Sequence, residues 1–192
     1  MASLQEFFKD SVETALRKQG VAADDHTAFY LVNLLTLFTR ADTHVSGDKP
    51  LALMLADAAE AGDARERNFV LQRIGDTSLF VAGFFSESFA RKLVDVDYYI
   101  DIGGSAYGSL SASVRGTVRG RVFGEVFAEL ARKFRDFVDV LTEVRDAAKG
   151  SADTDVLRLY EVWLKTRSER AARLLRARGI EPNQALDVDT RH

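Results

Sequence analysis

Apolar residues recur at intervals of three and four along almost the whole chain, which is the pattern of α-helices that bury one face. In residues 3–19 this stripe consists of Leu4, Phe8, Val12 and Ala15. The Ser3-to-Glu6 spacing is typical of a capping box at the start of a helix, and Gly20 is a typical stop. Six further helices are predicted in the same way, over about residues 25–40, 50–62, 64–92, 95–114, 122–149 and 153–179, with Asp63 as the N-cap of the helix that begins at residue 64.

The fold class follows from this periodicity. No alternating run of Val, Ile or Thr bounded by hairpin turns occurs, so strands are not predicted. A length of 192 residues suits one domain with a sizeable core. The sequence therefore predicts an all-α, single-domain bundle of six or seven helices over residues 1–179. Residues 180–192 lack periodicity and are predicted to form a loose C-terminal tail.

The amino-acid composition argues against several kinds of functional site. The chain has no cysteine and three histidines, and no histidine follows a glutamate by three residues as in di-metal bundles. We therefore expect no metal site and no cofactor. The net charge of −3 argues against general nucleic-acid binding. No signal-peptide pattern opens the sequence, and no apolar run approaches the roughly 20 residues of a membrane span. The expected location is the cytoplasm.

Glycine is concentrated between Gly75 and Ala128, which contains eight of the 13 glycines. A small residue recurs at every fourth position from Gly104 to Ala128. Residues four apart drift about 40° around a helix, so this line cannot form one continuous contact. We predict close helix packing in two separate places, the first at Gly104, Gly108 and Ala112 and the second at Gly124 and Ala128.

A candidate ligand site combines polar and aromatic residues of the same region. Its members are predicted to lie on the helices of residues 75–92 and 95–112: Asp76, Phe80, Phe84, Arg91, Tyr98, Tyr99, Asp101 and Tyr107. Aromatic stripes at helical spacing are usually core, and for Asp76 we favour an ion pair with Arg73, Arg91 or Lys92 over a role in ligand binding. For Asp97 and Asp101, four residues apart, we favour a pair that caps a helix and faces water over one that binds a cation or shares a proton.

The last predicted helix ends in a run of arginines. Arg170, Arg173, Arg176 and Arg178 are expected to form mainly a solvated face that complements the helix C-terminus. The alternative is a surface for an acidic partner or RNA.

Two strings resemble a known group of sequences. Residues 74–85, IGDTSLFVAGFF, and 97–107, DYYIDIGGSAY, are similar to segments of an uncharacterised family of bacterial all-helical proteins with no known activity. The resemblance implies a bacterial cytosolic protein whose distinctive surface is residues 75–108. It implies no catalytic residue.

These observations favour two functions. The first is a non-enzymatic helical interaction module, an adaptor or regulator that binds a protein partner or a second copy of itself. The second is a small-molecule-binding protein or enzyme with its site between the helices of residues 75–92 and 95–112. A cavity with converging polar groups would favour the second, and a filled core with exposed apolar groups the first.

Overall fold

The computed structural model describes residues 3–40, 50–85, 95–118, 120–149 and 156–182. These residues contain no strand, which confirms the all-α prediction. They form nine helices: α1 Leu4–Gln19, α2 Asp25–Arg40, α3 Leu51–Glu60, α4 Ala64–Phe84, α5 Val96–Val114, α6 Gly120–Arg132, α7 Phe134–Lys149, α8 Val156–Thr166 and α9 Glu169–Ala177. Among them, none is long and apolar enough to cross a lipid bilayer.

The predicted caps of the early helices are confirmed. Ser3 Oγ accepts a hydrogen bond from Glu6 N at 3.2 Å, and the Glu6 carboxylate accepts one from Ser3 N at 2.6 Å. Gly20 ends α1 with a left-handed backbone, φ 64°. Asp63 Oδ1 accepts from Glu66 N at 2.8 Å and starts α4. Side chains here satisfy backbone donors that a helix end leaves unpaired.

Two predicted helices are each interrupted once, which accounts for the higher helix count. Lys133 separates α6 from α7, although Lys133 N still bonds Glu129 O at 2.9 Å. Arg167 separates α8 from α9 with φ 54°. Ser168 then restarts the helix, because its Oγ accepts from Ala171 N at 3.2 Å. In the predicted helix 64–92, α4 ends at Phe84, and residues 86–94 lie outside the described residues.

The main core is one apolar cluster built by α1 to α7, with α4 against α3, α5 and α7. Its most enclosed side chains include Ile74, Leu79, Tyr107, Phe137 and Leu141, each 0% exposed. Fully burying a side chain of this size stabilises a fold by roughly 1.5–3 kcal/mol. The helices that carry the predicted ligand site, α4 and α5, therefore lie at the centre of the bundle.

The α8–α9 hairpin has an apolar cluster of its own. Leu159, Trp163, Ala171, Ala172 and Leu175 pack together as a group separate from the main core. Polar contacts join the hairpin to the bundle. Ser168 Oγ donates to Asp139 at 2.6 Å, and Arg135 Nη1 donates to the Thr166 carbonyl at 2.8 Å.

Two arginines of the C-terminal run belong to this connection. Arg170 is 9% exposed and binds Glu143, at 3.2 Å, and Asp146 on α7. Arg173 donates to the Lys18 carbonyl at 2.5 Å at the end of α1. The expectation of a solvated basic face is therefore wrong for Arg170 and Arg173, which point towards carboxylates and carbonyls of the bundle.

Candidate functional site

A carboxylate shared by two tyrosines lies where α2, α4 and α5 meet. Asp76 Oδ1 accepts hydrogen bonds from Tyr30 Oη at 2.6 Å and from Tyr107 Oη at 2.7 Å. Gln72 Nε2 donates to Tyr30 Oη at 3.0 Å. We call Tyr30, Gln72, Asp76 and Tyr107 the Asp76 cluster. It ties three helices together through one carboxylate oxygen.

Local packing fixes the position of Tyr107. Its ring is 0% exposed and stacks on Phe127 with 5.9 Å between centroids. On the other side the ring lies against Gly75, where an added Cβ would meet it at 2.5 Å. The glycine is therefore needed for close approach of α5 to α4, and it places the tyrosine hydroxyl beside the next residue, Asp76.

The predicted ion pair between Arg73 and Asp76 is wrong. The Arg73 guanidinium carbon instead lies 6.0 Å from the centroid of the Phe69 ring. Among the described residues no cation pairs with Asp76; the other predicted ion partners, Arg91 and Lys92, lie outside them. The hydroxyls of Tyr30 and Tyr107 bind the Asp76 carboxylate, for which a positively charged partner was expected.

Burial of the Asp76 cluster shifts the pKa values of its carboxyl group and its two tyrosine hydroxyls. Burial raises the pKa of Asp76 from its usual 3.8 to about 6, and the hydrogen bonds from Tyr30 and Tyr107 lower it in part. Burial and the adjacent carboxylate raise the pKa of both tyrosines, so their hydroxyls stay protonated donors. A carboxyl group with a pKa near 6 can hold or release a proton near neutral pH.

The other predicted site residues that the structure describes lie apart from the hydrogen bonds at Asp76. Phe80 and Phe84 stack on each other at 4.7 Å, further along α4. Tyr98 and Tyr99 meet edge to face at 5.6 Å near the start of α5. Asp101 is exposed.

The two carboxylates of Asp97 and Asp101 have different surroundings. Asp97 bonds Arg135 Nη1 at 3.1 Å, which turns its carboxylate towards α7. Within the part of the chain that the structure describes, no three acidic or histidine side chains come together as a metal site.

The tight glycine contacts lie beside the predicted ones. An added Cβ at Gly103 would meet Phe134 at 2.4 Å, and one at Gly83 would meet Leu141 at 2.5 Å. At Gly104 and Gly108 the nearest atoms would be 3.8 and 4.0 Å away, which is ordinary contact. Close packing at those two positions is therefore not observed, because the register between α4, α5 and α7 places the neighbouring face inward.

The second predicted place, at Gly124 and Ala128, is occupied by an α5–α6 contact. Ser111 Oγ donates to the Gly124 carbonyl at 2.7 Å, and an added Cβ at Gly124 would meet Arg115 Cγ at 2.8 Å. Ala112, by contrast, is exposed, and Ala128 is partly buried. Gly124 therefore makes a close contact at this place.

A surface groove lies between α1 and α2. This α1–α2 groove has a volume of about 1010 Å³ and runs from Ser3 to Gly20 along α1. Its apolar lining comprises Val12, Leu16, Val21, Ala28, Phe29 and Val32, and its charged lining comprises Glu6, Lys9, Glu13, Arg17 and Asp25. Phe29 lines this groove and is 60% exposed.

Comparison with known proteins found no matching family model, no similar curated protein and no similar solved structure. A function for this chain is therefore proposed from its own geometry. Sequence reasoning identified Asp76 and Tyr107 but missed Tyr30 and Gln72. Gln72 lies one helical turn before Asp76, which is a usable signal. Tyr30 is 46 residues away in sequence, and helical periodicity does not reveal such a pairing.

Proposed function

We propose that this chain is a non-enzymatic helical interaction module, an adaptor or regulator, that associates with a second copy of itself. The observation that carries the proposal is the α1–α2 groove, with Phe29 exposed at its side. Aromatic rings that water surrounds in the monomer gain roughly 1.5–3 kcal/mol when a partner covers them. Such rings are frequent anchors of protein interfaces.

The packing at the predicted ligand site supports the same choice. The space between α4 and α5 beside Asp76 is filled by the Tyr107 ring, which lies against Gly75. Small-molecule sites are concave and usually preformed. An open concave surface lies instead between α1 and α2, where residues of one face of α1 line it, and a helix of a partner can lie against such a face.

Molar mass as a function of concentration tests the proposal. We expect sedimentation equilibrium between about 1 and 200 µM to show conversion from the 21.3 kDa monomer to a dimer. A constant mass of 21.3 kDa over that whole range would refute self-association.

A second candidate function, small-ligand binding at the Asp76 cluster, is favoured by the raised pKa of a carboxyl group that no described cation pairs. Mass spectrometry of small molecules that co-purify with wild type and with Asp76→Asn tests it. A compound retained by wild type and lost from the variant would support ligand binding. Identical small-molecule profiles would argue against it.

A further inference from the structure

The face that α1 presents to the groove has a regular geometry. The lining positions on α1 recur at intervals of three or four residues, which is one face of a helix. This face extends over the 16 residues of α1, or about 24 Å at 1.5 Å per residue. A second helix can lie against this face.

The charges on this face alternate in sign at every turn. The order from the N-terminus is Glu6, Lys9, Glu13 and Arg17. When two copies of α1 lie antiparallel about a two-fold axis near residues 11 and 12, Glu6 lies opposite Arg17 and Lys9 lies opposite Glu13. A parallel arrangement would instead place identical charges opposite each other, which is unfavourable. The pattern is thus complementary to itself in one orientation.

We propose that the partner in the groove is a second copy of this chain, with the two α1 helices antiparallel and Phe29 of each copy covered by the other. This inference rests on the proposed self-association and specifies its surface. A two-fold dimer uses the same patch on both copies, so a self-complementary charge order is what it requires. Leu16 and Val21, both partly buried, supply the apolar surface next to Phe29.

Charge reversal at two facing positions tests the orientation. Lys9→Glu places Glu opposite Glu in a homodimer, and Glu13→Lys places Lys opposite Lys. Each variant alone should raise the dimer dissociation constant about tenfold or more, since the altered contact occurs twice. An equimolar mixture of the two variants should recover a heterodimer near wild-type affinity, because every facing pair is then opposite in sign.

A matched pair of aromatic variants tests the surface. Phe29→Ser should raise the dissociation constant about a hundredfold, as expected for loss of a central aromatic anchor. The control is Phe69→Ser on α4, where the ring is 62% exposed and lies outside the groove. Phe69→Ser should leave the constant unchanged. Circular dichroism of every variant at the lowest concentration confirms that the helices are intact.

The outcomes separate this inference from the proposed function. A wild-type dimer that weakens in both charge variants and returns in their mixture supports the antiparallel interface. A wild-type dimer unaffected by the charge variants and by Phe29→Ser overturns the interface but leaves self-association standing. A wild type that stays monomeric overturns both.

Discussion

The stability of the Asp76→Asn variant, relative to that of wild type, should increase as the pH rises. The folded protein holds the Asp76 proton more tightly than the unfolded chain, because its pKa rises from 3.8 to about 6. Wild type therefore loses stability as pH rises through that interval. The difference corresponds to about 3 kcal/mol when Asp76 is fully charged.

The amide of Asn retains an oxygen that can accept from Tyr30 and Tyr107 but carries no charge. Its NH₂ group requires a new acceptor, which costs up to roughly 1–3 kcal/mol if none is found. That cost does not vary with pH, whereas the cost of the buried charge does. The quantity to measure is therefore the change in the stability difference between variant and wild type, not its value at one pH.

Urea unfolding followed by circular dichroism from about pH 4 to 8 gives this difference curve. We expect Asp76→Asn to gain about 3 kcal/mol on wild type across the range, with the change centred below pH 6. The variant Tyr107→Phe keeps Asp76 but lacks one of the hydrogen bonds that lower the pKa of Asp76. The pH-dependent loss of stability in this variant should therefore occur at higher pH than in wild type. A flat difference curve would refute the account of a buried, unpaired charge.

Two further predictions concern packing and the hairpin. Gly103→Ala should lower the free energy of unfolding by about 1–3 kcal/mol, because the added methyl group clashes with Phe134. Gly104→Ala has ordinary space around it and should raise the free energy of unfolding by up to about 1 kcal/mol through helix propensity. Urea unfolding of both variants compares the two adjacent glycines, and equal losses of stability would contradict the observed register. Arg170→Met breaks a buried ion pair and should destabilise the α8–α9 hairpin by about 3 kcal/mol. Fluorescence of Trp163, the chain's single tryptophan, follows this hairpin, and an unchanged midpoint would count against ionic docking.

Local signals in the sequence predicted local structure well. Ser3, Gly20 and Asp63 cap helices as expected, because a cap depends on a few neighbouring residues. The interruption at Lys133 was not predictable from propensity, since neither glycine nor proline marks it.

Contacts between helices were predicted less well, for a physical reason. Periodicity identifies the face that a helix buries, but the register against its neighbour depends on tertiary packing. Gly103 rather than Gly104 is therefore the tight contact. Of the four residues of the candidate site, the sequence analysis named Asp76 and Tyr107 but not the hydrogen bond between them. Tyr30 reaches the same carboxylate from α2, a connection that follows from the arrangement of the whole bundle.

The separate apolar cluster of the α8–α9 hairpin has a consequence for the order of events during synthesis. The ribosome releases the chain from its N-terminus, and units with their own core can close as they emerge. The main core needs only α1 to α7, so it can be complete before residues 156–182 leave the exit tunnel. Glu143 and the carbonyl of Lys18 then already stand in place to receive the two arginines of α9. The hairpin is thus added to a finished surface instead of being folded into an open one.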